Sequence, residues 1–152
     1  MTHMIQGLVV PAAIARTISV EHAVLVPLGA AGVAFIPMTD VLLDHLTARF
    51  PTSTAHAPTE FWKLSPSAVL WLEELSATAR VAYLETEYFG GVGGQAAAVW
   101  ESGKIIFGPR QANIGPINDA LRLLGVTRNQ TQDEFDVAGL GRHRRTEDWL
   151  RG

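Results

Sequence analysis

A chain of 152 residues with a formal charge of −3 and a 47% hydrophobic fraction is sized for one domain that buries roughly two-thirds of its unfolded surface. It contains no cysteine, which excludes disulfides, thiolate metal sites and cysteine nucleophiles, and its weak acidity gives no steering field towards nucleic acid or an anionic membrane. Charged residues make up only 18%, low for a globular domain, so part of the surface is expected to be apolar or covered by a partner.

The apolar opening from Met4 to Met38 is interrupted by Arg16, Glu21 and His22 and by Pro11, Pro27 and Pro37, which argues against a membrane span. No Lys or Arg precedes its first apolar run, so a secretory signal is not expected either, and the reading is a cytoplasmic protein. Within that opening, Ile5 to Ile18 suits a short helix or a strand broken at Pro11. Ala23 to Leu28 and Val33 to Met38, joined by Gly29-Ala30-Ala31-Gly32, predict a hairpin, and Pro27 and Pro37 belong at an edge or a strand end because neither can donate to a ladder. Thr39 or Asp40 then caps a helix over Val41 to Phe50, with Val41, Leu42, His45, Leu46 and Arg49 at helical spacing.

Pro51 to Thr59 is small, polar and proline-bounded, a surface loop and the natural place for disorder. Ser65 caps the next helix and Pro66 fills its first position, where a missing N–H costs nothing. This helix is predicted to run to about Ala79, burying Val69, Leu72 and Leu75, with Trp71 on its flank. Val81 to Phe89, Ala96 to Trp100 and Lys104 to Phe107 are rich in β-branched and aromatic residues and are linked by a Gly-rich loop and a Ser102-Gly103 turn. They predict a three-stranded antiparallel meander at the centre of the sheet. Pro116 opens a further helix lined by Ile117, Ala120, Leu121 and Leu124 and stopped at Gly125. Thr131 and Glu134 form a capping box, placing a last helix from Gln132 to Gly139. Residues 140–152 read as a charged tail with Trp149 and Leu150 as its apolar anchors. The expected fold is therefore a single α+β domain over residues 1–152, a mostly antiparallel sheet packed on one side by helices. Ala82, Leu84, Val99, Ile105 and Phe107 should be buried, with Leu72, Leu121 and Leu124 packing on the same sheet.

Strand alternation puts Tyr83, Glu85, Glu87 and Phe89 on one face, so two carboxylates stand about 7 Å apart. Such a pair can divide acid and base roles when one member is buried, or it can form an acidic face that docks a basic partner. The loop Gly90-Gly91-Val92-Gly93-Gly94-Gln95 could present N–H groups to an anion, but a strand follows it instead of the helix that phosphate loops feed, so a wide glycine-permitted hairpin or bulge is expected. Arg142, His143, Arg144 and Arg145 form the basic cluster of the chain, followed at once by Glu147 and Asp148; nucleic-acid binding is not expected of it. The five histidines have no ligand-like spacing, so neither a metal nor another cofactor is expected.

The run YLETEYFGGVGGQ, the strand AAAVW, the turn ESGK, then IIFGP, INDALRLLGV, DEFDVAGLGRHR and TEDW together resemble small bacterial immunity proteins encoded beside secreted polymorphic toxins. The resemblance covers the C-terminal half. It implies a non-enzymatic protein that binds a cognate toxin, with contacts at Tyr83, Glu85, Glu87, Phe89, Gly91, Gly93, Gln95, Arg142 and Arg144. The identity of the toxin and the oligomeric state do not follow from it. Two other readings stand beside it: a small enzyme using Glu85 or Glu87 in a pocket near the Gly-rich loop, and a structural subunit of a phage or secretion assembly. Toxin binding predicts an exposed acidic face without a concave polar pocket, whereas an enzyme predicts a deep pocket with a carboxylate of raised pKa.

Overall fold

The computed structural model describes residues 2–52 and 56–152. The disorder expected between Pro51 and Thr59 falls in part on residues 53–55, outside the described residues. The α+β expectation holds: helices pack on one seven-stranded sheet whose strands pair antiparallel throughout. In chain order the elements are β1 (Thr2–His3), β2 (Gln6–Pro11), α1 (Ala12–Ala15), β3 (Val26–Pro27), β4 (Val33–Pro37), α2 (Asp40–Arg49), α3 (Pro66–Leu75), β5 (Val81–Phe89), β6 (Val92–Glu101), β7 (Lys104–Ala112), α4 (Pro116–Leu123) and α5 (Glu134–Ala138). Across the sheet the order is β3-β4-β2-β5-β6-β7, and β1 pairs with the far end of β5.

The ambiguous opening resolves into a central strand followed by one helical turn. Gly7 to Val10 is an unbroken small or apolar run because both faces of β2 are covered, a pattern that periodicity alone cannot tell from a buried helix. The meander forms as expected, but β2 and β5 hold the middle of the sheet and β7 is its edge. Ile105 consequently stays 40% exposed and Phe107 is only half-buried. Both hairpin turns of the meander are tight. Gly90 and Gly91 turn with φ of +60° and +83°, and Ser102 and Gly103 with +52° and +77°. Two successive positive φ values match the right-handed twist of the flanking strands, so the wide Gly-rich loop is in fact a two-residue turn, with Val92, Gly93 and Gly94 already in β6.

Helices cover both faces of the sheet, not one. Leu8, Tyr83, Ala98 and Trp100 pack with Leu42 and Leu46 of α2 and Trp71 and Leu72 of α3. On the opposite face Val9, Ala82, Leu84 and Val99 pack with Ile117 and Leu121 of α4 and with Trp149. Leu72 and Leu121 therefore lie in different cores, and Trp71 is fully buried instead of flanking. The Thr39 and Ser65 caps form as read, accepting from Leu42 N and Ala68 N. The helix after Ser65 stops at Leu75, short of Ala79, where Ser76 Oγ turns to bond Glu73 O and accept from Gly103 N. The last helix starts at Glu134 because Asp133, not Thr131, supplies its cap, accepting from Asp136 N.

The C-terminal segment is not a solvated tail. Thr146–Arg151 forms a 3₁₀ turn, and Trp149 is fully buried with its ring 4.9 Å from that of Phe35. Thr146 Oγ1 accepts from Gln6 N at 3.0 Å and donates to Gln6 Oε1 at 2.7 Å, and Met4 N donates to Arg144 O at 2.7 Å. Among the described residues no helix is long and apolar enough to cross a membrane.

Candidate functional site

The site is built on the alternation of β5. Glu85 and Glu87 point from the same face, yet Glu85 is 4% exposed while Glu87 lies in solvent. The cause is the loop that precedes α3. Phe61 and Leu64 are apolar and sink into the core beside Tyr83, the Phe61 and Tyr83 rings meeting edge to face at 5.0 Å. That descent carries two backbone N–H groups over Glu85: Trp62 N donates to Oε1 at 2.9 Å and Lys63 N to Oε2 at 3.0 Å, while the Tyr83 hydroxyl donates to Oε2 at 2.7 Å. Lys63 Nζ adds an ion pair with Asp40 at 2.9 Å, tying the loop to the start of α2.

Burial pushes the Glu85 carboxyl above its ordinary 4.5, against hydrogen bonds from Tyr83 and from the backbone of Trp62, Lys63 and Leu64 that favour the charged form. Burial first, and then the charge of Glu85, hold the Tyr83 phenol well above its ordinary 10.0, so it stays a proton donor. Both Glu85 oxygens are thereby occupied, and the carboxylate acts as a staple for the 61–64 loop.

Trp62 is squeezed outward between its two buried neighbours and stands 60% exposed. Beside it, at the tip of the β5–β6 hairpin, Phe89 and Val92 face each other across the ladder with 50% and 76% exposure. Gly94 and Ala96, opposite Glu87 and Glu85, put no bulk between these walls. The result is an open hollow of about 370 Å³ lined by Glu60, Trp62, Glu87, Phe89, Val92, Gly93 and Gln111 among others. Among the described residues neither Glu60 nor Glu87 has an ion-pair partner.

Glu85, Glu87, Phe89, Gly93 and Gln95 thus do converge on one hollow. Tyr83 and Glu85 are corrected from surface contacts to buried supports. Gln95 is 8% exposed and is used internally: its Oε1 accepts from Ile117 N at 2.8 Å and its Nε2 donates to the Tyr88 hydroxyl at 3.1 Å. Gly91 lies away from this hollow, beside Arg144, Tyr88 and His3. Arg142 stacks over the Trp149 ring at 4.9 Å. Neither Arg142 nor Arg144 lines the hollow that holds Glu85 and Glu87.

Sequence reasoning missed Glu60 and Trp62. They sit in a stretch with neither helical nor strand periodicity, and their place in the site depends on Glu85 twenty-odd positions away. The one available signal was an aromatic residue set between Glu60 and Lys63 immediately before a capped helix. Among the described residues no cluster of His, Asp and Glu is arranged to hold a metal ion.

Fold and site together define an α+β domain, its sheet covered on both faces, with an open aromatic and acidic hollow at one hairpin end. Comparison with known proteins finds no matching family model, no matching curated protein and no matching solved structure.

Proposed function

We propose that this chain is a binding protein that neutralises a cognate bacterial toxin by direct contact, an immunity protein, and that it meets the toxin with the hollow framed by Trp62, Phe89 and Glu87. One observation supports this most: Trp62 is 60% exposed while its own backbone N–H is fixed by a buried carboxylate. Burying a carboxylate is unfavourable unless its hydrogen bonds are all made, and here that arrangement holds a large apolar side chain out in water. With its backbone held in this way, Trp62 has only side-chain freedom left to lose on binding, and tryptophan is prominent among the residues that dominate protein interfaces. The flanking carboxylates Glu60 and Glu87 suit a basic patch on the partner, which raises association rates and selects against acidic surfaces.

The hollow and the raised Glu85 carboxyl are also features of the enzyme reading, but three donors already bind Glu85, one on Oε1 and two on Oε2, and a carboxylate committed to holding a loop is a poorer general base than a free one. The test is binding of the purified protein to the toxin encoded beside its gene, by titration calorimetry and by inhibition of the toxin's activity. Trp62→Ala is expected to weaken the complex about 30-fold or more, the effect of losing an interface hot spot of about 2 kcal/mol. No binding by the toxin, together with turnover of a small molecule that is lost in Glu85→Gln, overturns the proposal in favour of an enzyme.

A further inference from the structure

Two more hollows continue from the first, and they share walls in sequence. Trp62 and Phe89 line both the first hollow and a second one of about 320 Å³. Asp40 and Glu147 line both the second and a third, of about 410 Å³, which ends at Val41 and Leu150. The first and third have no residue in common, so the three form a row and not a bowl. Val41 and Leu150 are 55% and 46% exposed, so apolar side chains punctuate the row at its far end as Trp62, Phe89 and Val92 do at the near end.

We propose that this row is one docking track for an extended, arginine- or lysine-bearing polypeptide segment of the partner. The inference rests on the binding reading above and names the chemistry of what is bound. Charge favours a cationic occupant. Asp40 is already paired with Lys63, which leaves Glu60, Glu87 and Glu147 against Arg145 along the row. A polypeptide, and not a small polyamine, is favoured by Gln6 in the middle hollow. Gln6 is 2% exposed and its Nε2 has no hydrogen-bond partner. The Thr146 hydroxyl accepts from Gln6 N and donates to Gln6 Oε1, and the amide orientation is assigned from this network. An unpaired buried donor is unfavourable, and a main-chain carbonyl entering the hollow supplies the acceptor that a bare cation lacks. Three hollows in series suit a segment several residues long in extended form, each residue advancing about 3.3 Å.

Trp62 provides the readout, since Trp71, Trp100 and Trp149 are buried and acrylamide quenching of the fluorescence reports on Trp62. The probes are the octapeptide GRGRGRGR, the tripeptide GRG, the octapeptide GEGEGEGE and spermidine. GRGRGRGR is expected to protect Trp62 from quenching, with affinity falling as salt rises, while GEGEGEGE does not. Glu87→Lys, at the near end, is expected to weaken both arginine peptides about fivefold. Glu147→Lys, at the far end, is expected to weaken only the octapeptide by a similar factor. Both residues are exposed, so the folded state tolerates either change. An octapeptide that gives no protection, or one indifferent to Glu147→Lys, overturns the single track; spermidine matching the octapeptide charge for charge overturns the polypeptide. A toxin that binds tightly to a protein the octapeptide does not protect refutes the track alone and leaves neutralisation standing.

Discussion

Glu85 and Glu87 share a strand, a face and a charge, and they do opposite things. The first is covered by the 61–64 loop and spends both oxygens holding it; the second, one step further out, has no loop above it and lies exposed opposite Gly94. The same division runs through the whole hairpin. From Val81 to Thr86 every residue is buried, and from Glu87 onward the strand leaves the sandwich and becomes surface. Chemical identity therefore says little about role here. What decides it is whether another segment reaches far enough along the strand to cover the side chain.

The largest expected effect breaks the inner half. Glu85→Lys places a cation against two N–H donors and a hydroxyl in a buried site, and is expected to destabilise the fold by about 3 to 5 kcal/mol in chemical denaturation. Glu87→Lys, the same exchange in the outer half, should stay within about 0.5 kcal/mol. Similar losses for the two would erase the distinction between them.

The hairpin glycines sharpen the contrast on a smaller scale. Gly93 holds φ at +146°, and a Cβ there would lie 1.9 Å from the carbonyl oxygen of Glu87, so Gly93→Val is expected to lose about 3 kcal/mol and disturb the hollow as well. Gly91 has φ of +83° with open space where a Cβ would go, so Gly91→Ala carries only the left-handed backbone penalty of about 1 to 2 kcal/mol. Thermal melts rank the two.

The smallest effect is the pH dependence of the staple. Because burial raises the folded-state pKa of Glu85 above its ordinary 4.5, the folded protein binds more protons than the unfolded chain between those two values. Stability then falls as pH rises through that window. The stability of the wild type minus that of Glu85→Gln, measured from pH 4 upward, should decline with pH and then level off. A difference that rises instead would mean that the hydrogen bonds outweigh burial and that the folded pKa is lowered.

Much of the scaffold is legible in local signals. Thr39, Ser65 with Pro66, and Pro116 mark helix starts, and the alternation from Val81 to Phe89 places Tyr83 and Glu85 on one face and Ala82 and Leu84 on the other. Those signals work because caps and side-chain directions are set by the backbone within a few residues. Burial of both faces is not legible in the same way: Leu72 and Leu121 look equivalent on their helix stripes, and nothing in either stripe says which side of the sheet it meets.

By itself, then, the sequence determined the meander, the helix starts at Thr39, Ser65 and Pro116 and the pairing of side chains on each strand face, all of them consequences of short-range geometry. Only the tertiary structure decided which carboxylate became a staple, because Trp62 and Lys63 donate to Glu85 across a separation of 23 and 22 positions. It also turned the charged C-terminal segment into a wall of the middle hollow, through hydrogen bonds between Thr146 and Gln6 that join residues 140 positions apart. Contacts at that range depend on how every intervening element packs, and no local pattern of residues encodes them.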